Sequence, residues 1–177
     1  MKNNKGFTLV ELLVAATILG ILAVFATVSY RNSVAESRWA YARAMTEHLA
    51  ASMQRVKMDF PFVSFAEGII STTDSSCPLD EIGSSGIGTI TIGTGDLFAC
   101  GYIENEAWNN SYFEYIMCSD GASLPCNDKQ SGLAPLACVQ IKDGAKLPAD
   151  FKKNYYCVYE DGTKRECRPS PIGCVNL

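Results

Sequence analysis

From Phe7 to Tyr30 the chain is apolar apart from one carboxylate, Glu11, and the next charge is Arg31. Those 24 residues would extend about 36 Å as a helix at roughly 1.5 Å per residue, enough to cross a bilayer. A lone acid at such a depth costs about 2.5–3.5 kcal/mol on insertion scales. What Glu11 pairs with is therefore the central functional question. Lys2 and Lys5 precede the run, and by the positive-inside rule they place the start of the chain in the cytoplasm.

With 177 residues, the chain has room for one ordinary domain beyond such an anchor. The formal net charge of −4 is too small and of the wrong sign for general nucleic-acid binding. Charge is unevenly placed, however. Met58 to Asp128 holds eleven acidic residues and no Lys or Arg, whereas Arg31 to Lys57 holds five basic residues against Glu36 and Glu47. These blocks are either a solvated surface or complementary faces that steer one copy onto the next.

All eight cysteines, Cys77, Cys100, Cys118, Cys126, Cys138, Cys157, Cys167 and Cys174, lie beyond the apolar run. None forms a C-x-x-C pair, and the single histidine, His48, is far upstream. Zinc or iron–sulfur ligation is thus poorly supported, and no metal or cofactor is expected. An even count downstream of an export signal reads as up to four disulfides formed outside the cytoplasm.

An ordinary secretory signal would cut after Ala26, at Val24-Phe25-Ala26, but an export core has no use for Glu11 and the helical pattern runs on past that point. A plain single-span anchor also leaves Glu11 unexplained. The stretch Gly6-Phe7-Thr8-Leu9-Val10-Glu11-Leu12-Leu13 resembles the class III signal of type IV pilins and type II secretion pseudopilins. The resemblance implies cleavage after Gly6 by a prepilin peptidase, N-methylation of the new terminal residue Phe7, and an assembly role for Glu11. It is specific over residues 5–25 and architectural beyond them. Cleavage would leave a positive amine on Phe7, which Glu11 of a neighbouring subunit could neutralise where water is excluded; stranding either charge would cost about 3–5 kcal/mol. Ala15, Ala16, Gly20, Ala23 and Ala26 would permit close helix approach in such a bundle.

Helical signals continue to Asp59, with Pro61 as the latest stop. Val34, Arg38, Tyr41, Met45, Leu49, Met53 and Val56 recur at spacings of three and four and predict the buried face; Glu36, Arg43, Glu47, Gln54 and Arg55 fall on the opposite one. The proline that often interrupts the helix of major pilins is absent before Pro61, which leaves the subunit's rank open. Strands are predicted at 89–92, 97–103, 112–118, 136–142, 155–160 and 163–168, with 60–87 as a loop. A three-residue turn at Asp161-Gly162 would set Cys157 opposite Cys167, and Cys118 with Cys126 could staple an exposed loop.

The expected fold is α+β: a long amino-terminal helix packed on an antiparallel sheet. Residues 1–6 form a leader, 7–30 a transmembrane and filament-core helix, 31–59 its amphipathic second half, and 60–177 a disulfide-rich head. No nucleophile motif, phosphate loop or EF-hand is visible, and His48 reads as a surface helix residue, so no enzyme is expected. The resemblance implies a structural subunit of a helical surface filament serving adhesion, twitching motility or DNA uptake. Its partners would be further pilin copies, the peptidase and the pilus assembly machinery. The subunit would sit in the bacterial inner membrane with its head in the periplasm before assembly, and in an extracellular pilus afterwards. A type II secretion pseudopilin and a DNA-binding minor pilin are the alternatives, the latter resting on Lys152, Lys153, Lys164, Arg165 and Arg168 beside Tyr155, Tyr156 and Tyr159.

Overall fold

The computed structural model describes residues 8–70, 76–79, 90–104, 108, 111–119, 126, 135–148, 151, 155–167 and 174–176. Gly6, Phe7 and most of 120–134 lie outside them. Helix α1, Leu9–Asp59, runs 51 residues without a break, or about 77 Å at 1.5 Å per residue. No proline interrupts it. It ends where Phe60 leaves helical geometry, its amide still bonded to the Val56 carbonyl at 2.8 Å, just before Pro61.

Helix α1 packs on a six-stranded antiparallel sheet ordered β2-β4-β5-β6-β7-β8. The strands are β2 (Gly68–Ile69), β4 (Phe113–Met117), β5 (Pro135–Ile141), β6 (Tyr155–Tyr159), β7 (Lys164–Cys167) and β8 (Cys174–Asn176). A separate parallel pair joins β1 (Val63–Phe65) to β3 (Ile90–Ile92). Strand alternation sorts the sheet residues onto two faces. Phe113, Tyr115, Met117, Ala137, Val139, Tyr156 and Val158 join the core under α1, whereas Ile116, Cys138, Cys157 and Tyr159 form a smaller cluster on the other face with Cys118 and Cys126.

The buried stripe of α1 differs in phase from the expected one. Leu49, Met53 and Val56 are buried as expected, but further up the helix the buried residues are Ala35, Trp39, Ala42 and Thr46, while Tyr41 and Arg38 are exposed. A single large side chain sets that phase. Trp39 is fully buried, with Phe113 and Phe151 at ring-centroid distances of 5.6 and 6.0 Å. Ala42 and Thr46 then bring the backbone close to the sheet, and the Thr46 hydroxyl is satisfied by the Ala42 carbonyl at 2.9 Å.

Arg43 and Glu47, read from the sequence as outward-facing, in fact clamp α1 to the edge of β6 and β7. The Trp39 indole donates to Glu166 at 3.1 Å, and Arg43 pairs with the same carboxylate at 3.5 Å. Glu47 accepts from the Tyr156 hydroxyl at 2.7 Å and from Lys164 at 2.6 Å. Partial burial pushes the Glu47 carboxyl up, but the hydrogen bonds from Lys164 and Tyr156 and the nearby cations outweigh it and hold the group below its usual value. Burial, then the bond to Glu47, raises the Tyr156 phenol.

Other expectations need correction. Residues 97–103 are not a strand: α2 (Asp96–Ala99) forms there, Asp96 accepting from the Gly93 amide at 2.6 Å, and Gly101 turns the chain at φ 73°. The 60–87 loop contains β1 and β2. The β6–β7 turn does close on three residues, Glu160 to Gly162, with Gly162 at φ 82°, but one position early. Cys157 therefore opposes Arg165, and Cys167 opposes Tyr155. Cys157 instead bonds its neighbour across β5, Cys138, with Cα atoms 4.1 Å apart. Cys77–Cys100 and Cys118–Cys126 are also bonded.

Two predictions follow from this packing. The backbone register sets Cys167 directly opposite Cys174, the placement a cross-strand bridge requires. Non-reducing peptide mapping should recover a Cys167–Cys174 link beside the other three; recovery of either residue as a thiol would refute the pairing. Glu47 has a depressed folded-state pKa, so its stabilisation is present above the unfolded carboxylate's pKa and is lost as pH falls through the lower folded value. Glu47→Gln should lower the melting temperature of the protein by a few degrees at neutral pH. The difference from wild type should shrink as pH falls below the ordinary carboxylate range and Glu47 is protonated; a difference unchanged with pH would show that charge plays no part.

Candidate functional site

The amino-terminal half of α1 stands clear of the buried core. Leu9 to Tyr30 is exposed throughout, Leu9 and Phe25 at 79% and 69%. A single helix of this length and hydropathy is fit to cross a membrane. In water such a surface would be an aggregation hazard far larger than an ordinary apolar patch. A cover of lipid or of other apolar helices would remove that surface from water.

Glu11 sits in the first turn of this helix. Its carboxylate accepts from both the amide and the hydroxyl of Thr8 at 2.9 Å, while the Thr8 hydroxyl accepts from the Glu11 amide at 3.3 Å. This reciprocal capping box satisfies two amides that the helix start would otherwise leave open. The sequence reading missed it, although Thr-x-x-Glu before an apolar run is its signature. The same carboxylate also lies at the positive end of the helix dipole. Glu11 is thus fixed in the first turn and turned towards the chain's start, and its contacts within the described chain are only those to Thr8.

The rest of the exposed half is built for close packing. Gly20 has open space where a Cβ would sit, and Thr17 and Thr27 turn their hydroxyls back onto the carbonyls of Val14 and Ala23 at 2.8 Å. Neither threonine therefore brings an unsatisfied hydroxyl into an apolar cover.

The remaining candidates fall elsewhere. Cys118, Cys126 and Cys138 bring their sulfurs within 4.8 Å of one another, a spacing suited to a metal. The three are already bonded, Cys118 to Cys126 and Cys138 to Cys157, so the group is two stacked bridges with no thiolate to offer. His48 is exposed on α1, stacked near Trp108 at 6.4 Å. Lys164 is engaged by Glu47, and Arg165 lies over Tyr159 at 5.4 Å. Lys152, Lys153 and Arg168 are outside the described residues.

Residues 1–27 match the family described as the prokaryotic N-terminal methylation motif. The chain is 34% identical over 75 residues to a type IV major fimbrial protein, FimA, of Dichelobacter nodosus, covering 40% of this chain and 47% of that one. To a fimbrial protein of the same organism it is 33% identical over 76 residues, 41% of this chain and 48% of the relative. It thus spans about half the length of the curated relatives it matches. No solved structure matches significantly. A methylation motif at the head of a long exposed helix and 33–34% identity over about 75 residues make the amino-terminal part of this chain similar to type IV fimbrial proteins.

Proposed function

We propose that the chain is a pilin-type structural subunit that assembles through its apolar helix into a surface filament. In this reading a prepilin peptidase cuts after Gly6, Phe7 becomes the N-methylated terminus, and residues 7–30 hold the subunit in the inner membrane with the head in the periplasm. The assembly machinery then moves the helix from lipid into the filament core. The subunit does no chemistry of its own.

One observation carries the proposal: α1 is continuous, yet its first 22 residues are exposed and carry a single charge beside the site where processing would create an opposite one. Within the described chain Glu11 has only hydrogen bonds to Thr8. A neighbour's terminal amine would supply the counter-charge that an apolar interior demands. Because that amine exists only after cleavage, pairing would also restrict assembly to processed subunits.

The cap and the ion pair can be separated by substitution. Glu11→Val removes both, whereas Glu11→Gln keeps a side chain able to close the capping box and removes only the charge. Both variants should be processed and inserted normally. Both should lower the yield of sheared filaments by about tenfold or more, the stranded charge being worth several kcal/mol. Wild-type yield from Glu11→Gln would leave capping as the sole role of Glu11 and overturn the ion pair.

A further inference from the structure

Where the apolar part of α1 ends, the helix meets the turn after β5. That turn is ordered, with Ala145 bonded to the Lys142 carbonyl and Leu147 to the Ala145 carbonyl, both at 3.0 Å. Between it and the helix lies a groove of about 250 Å³ lined by Tyr30, Arg31, Arg38, Lys146, Leu147 and Pro148, among others. Three cations and no carboxylate line it. Arg38 lies 4.2 Å above the Tyr112 ring, and among the described residues no carboxylate pairs with Arg31, Arg38 or Lys146.

Its depth is set by the helix. Glu11 to Arg31 covers about 30 Å at 1.5 Å per residue, the thickness of a hydrocarbon core. With Glu11 at the inner boundary, Arg31 falls at the outer headgroup level and Arg38 about 10 Å beyond it. Lys146 can extend down to the same level, as long basic side chains do. Exposed Tyr30, which lines the groove, has the amphipathic character of an interfacial residue.

We propose that this groove seats the phosphate of an anionic phospholipid while the subunit waits in the membrane, a proposal that rests on the membrane anchoring argued above. The bound lipid would neutralise cations that no carboxylate among the described residues pairs with. It would also fix the depth and rotation of the head before assembly.

The test uses the full-length protein in detergent, offered equal amounts of phosphatidylglycerol and phosphatidylcholine and read by native mass spectrometry. Wild type should retain phosphatidylglycerol at least about fivefold over phosphatidylcholine, in keeping with the pull of several basic residues on anionic lipid. The double variant Arg31→Gln with Lys146→Gln should fall to near parity, with unchanged melting as the check on folding. Lys57→Gln, at the far end of the helix, should keep the preference. Parity in wild type, or a preference that survives the double variant, would overturn the proposal. Loss of the preference on adding millimolar inorganic phosphate would make the groove a free-phosphate site and overturn the lipid assignment. Flotation with neutral phosphatidylcholine vesicles reads anchoring separately. A chain that floats but shows lipid parity loses only this proposal, and one that does not float loses the anchoring reading too.

Discussion

Between Tyr30 and Trp39 the helix α1 changes what it packs against. Up to Tyr30 every described side chain of the helix is exposed and all but one are uncharged; from Ala35 onward one face is buried against the sheet. The backbone does not register the change, because helical hydrogen bonds run within the segment and are satisfied equally in lipid, in a bundle or in water. Everything that differs is in the side chains. The outer half of α1 draws its position from Trp39, from the Arg43–Glu166 and Glu47–Lys164 pairs, and from the bond between Tyr156 and Glu47. The head and the rod are therefore one mechanical piece, and a force applied to the exposed half passes directly into the sheet.

The head answers a different demand. Its sheet is covered on one face by α1, and on the other by a small cluster in which two disulfides lie side by side. A second helix or sheet would normally cover that face. Among the described residues that face is held by covalent links instead: Cys138–Cys157 ties β5 to β6 and Cys118–Cys126 anchors the chain beyond β4. Bridges of this kind restrict the unfolded chain as well as the folded one, which suits a domain whose apolar surface is partly committed to another site.

Much of this was legible in the residues. The apolar run, the helix end at Asp59 and the four central and carboxyl-side strands follow from periodicity and turn residues, because long or strongly alternating segments leave few alternatives. Glu11 stood out because a lone acid in an apolar run is costly. The errors are physical too. The stripe phase failed because Trp39, flanked by Ser37, Ala40 and Ala42, anchors the helix with one large side chain and small neighbours, while Tyr41 carries its apolar ring outward. Residues 97–103 were misread because a short apolar run does not distinguish strand from helix, and the Asp96 cap on Gly93 decided it. The conditional pairing of Cys157 with Cys167 does not form, because a one-position shift of a turn moves every opposed pair by two residues. Strands as short as Gly68–Ile69 carry almost no local signal and exist only because a neighbour's edge is there.

The central claim is that this chain becomes a filament subunit only after its start is remade at Phe7. The direct measurement is the amino-terminal peptide of the protein recovered from sheared cell-surface filaments, read by mass spectrometry. The account predicts a chain that begins at Phe7 and carries one added methyl group. A chain beginning near Thr27 and recovered as free secreted protein would contradict it, since most of the apolar part of the helix and the carboxylate proposed to drive assembly would both have been discarded.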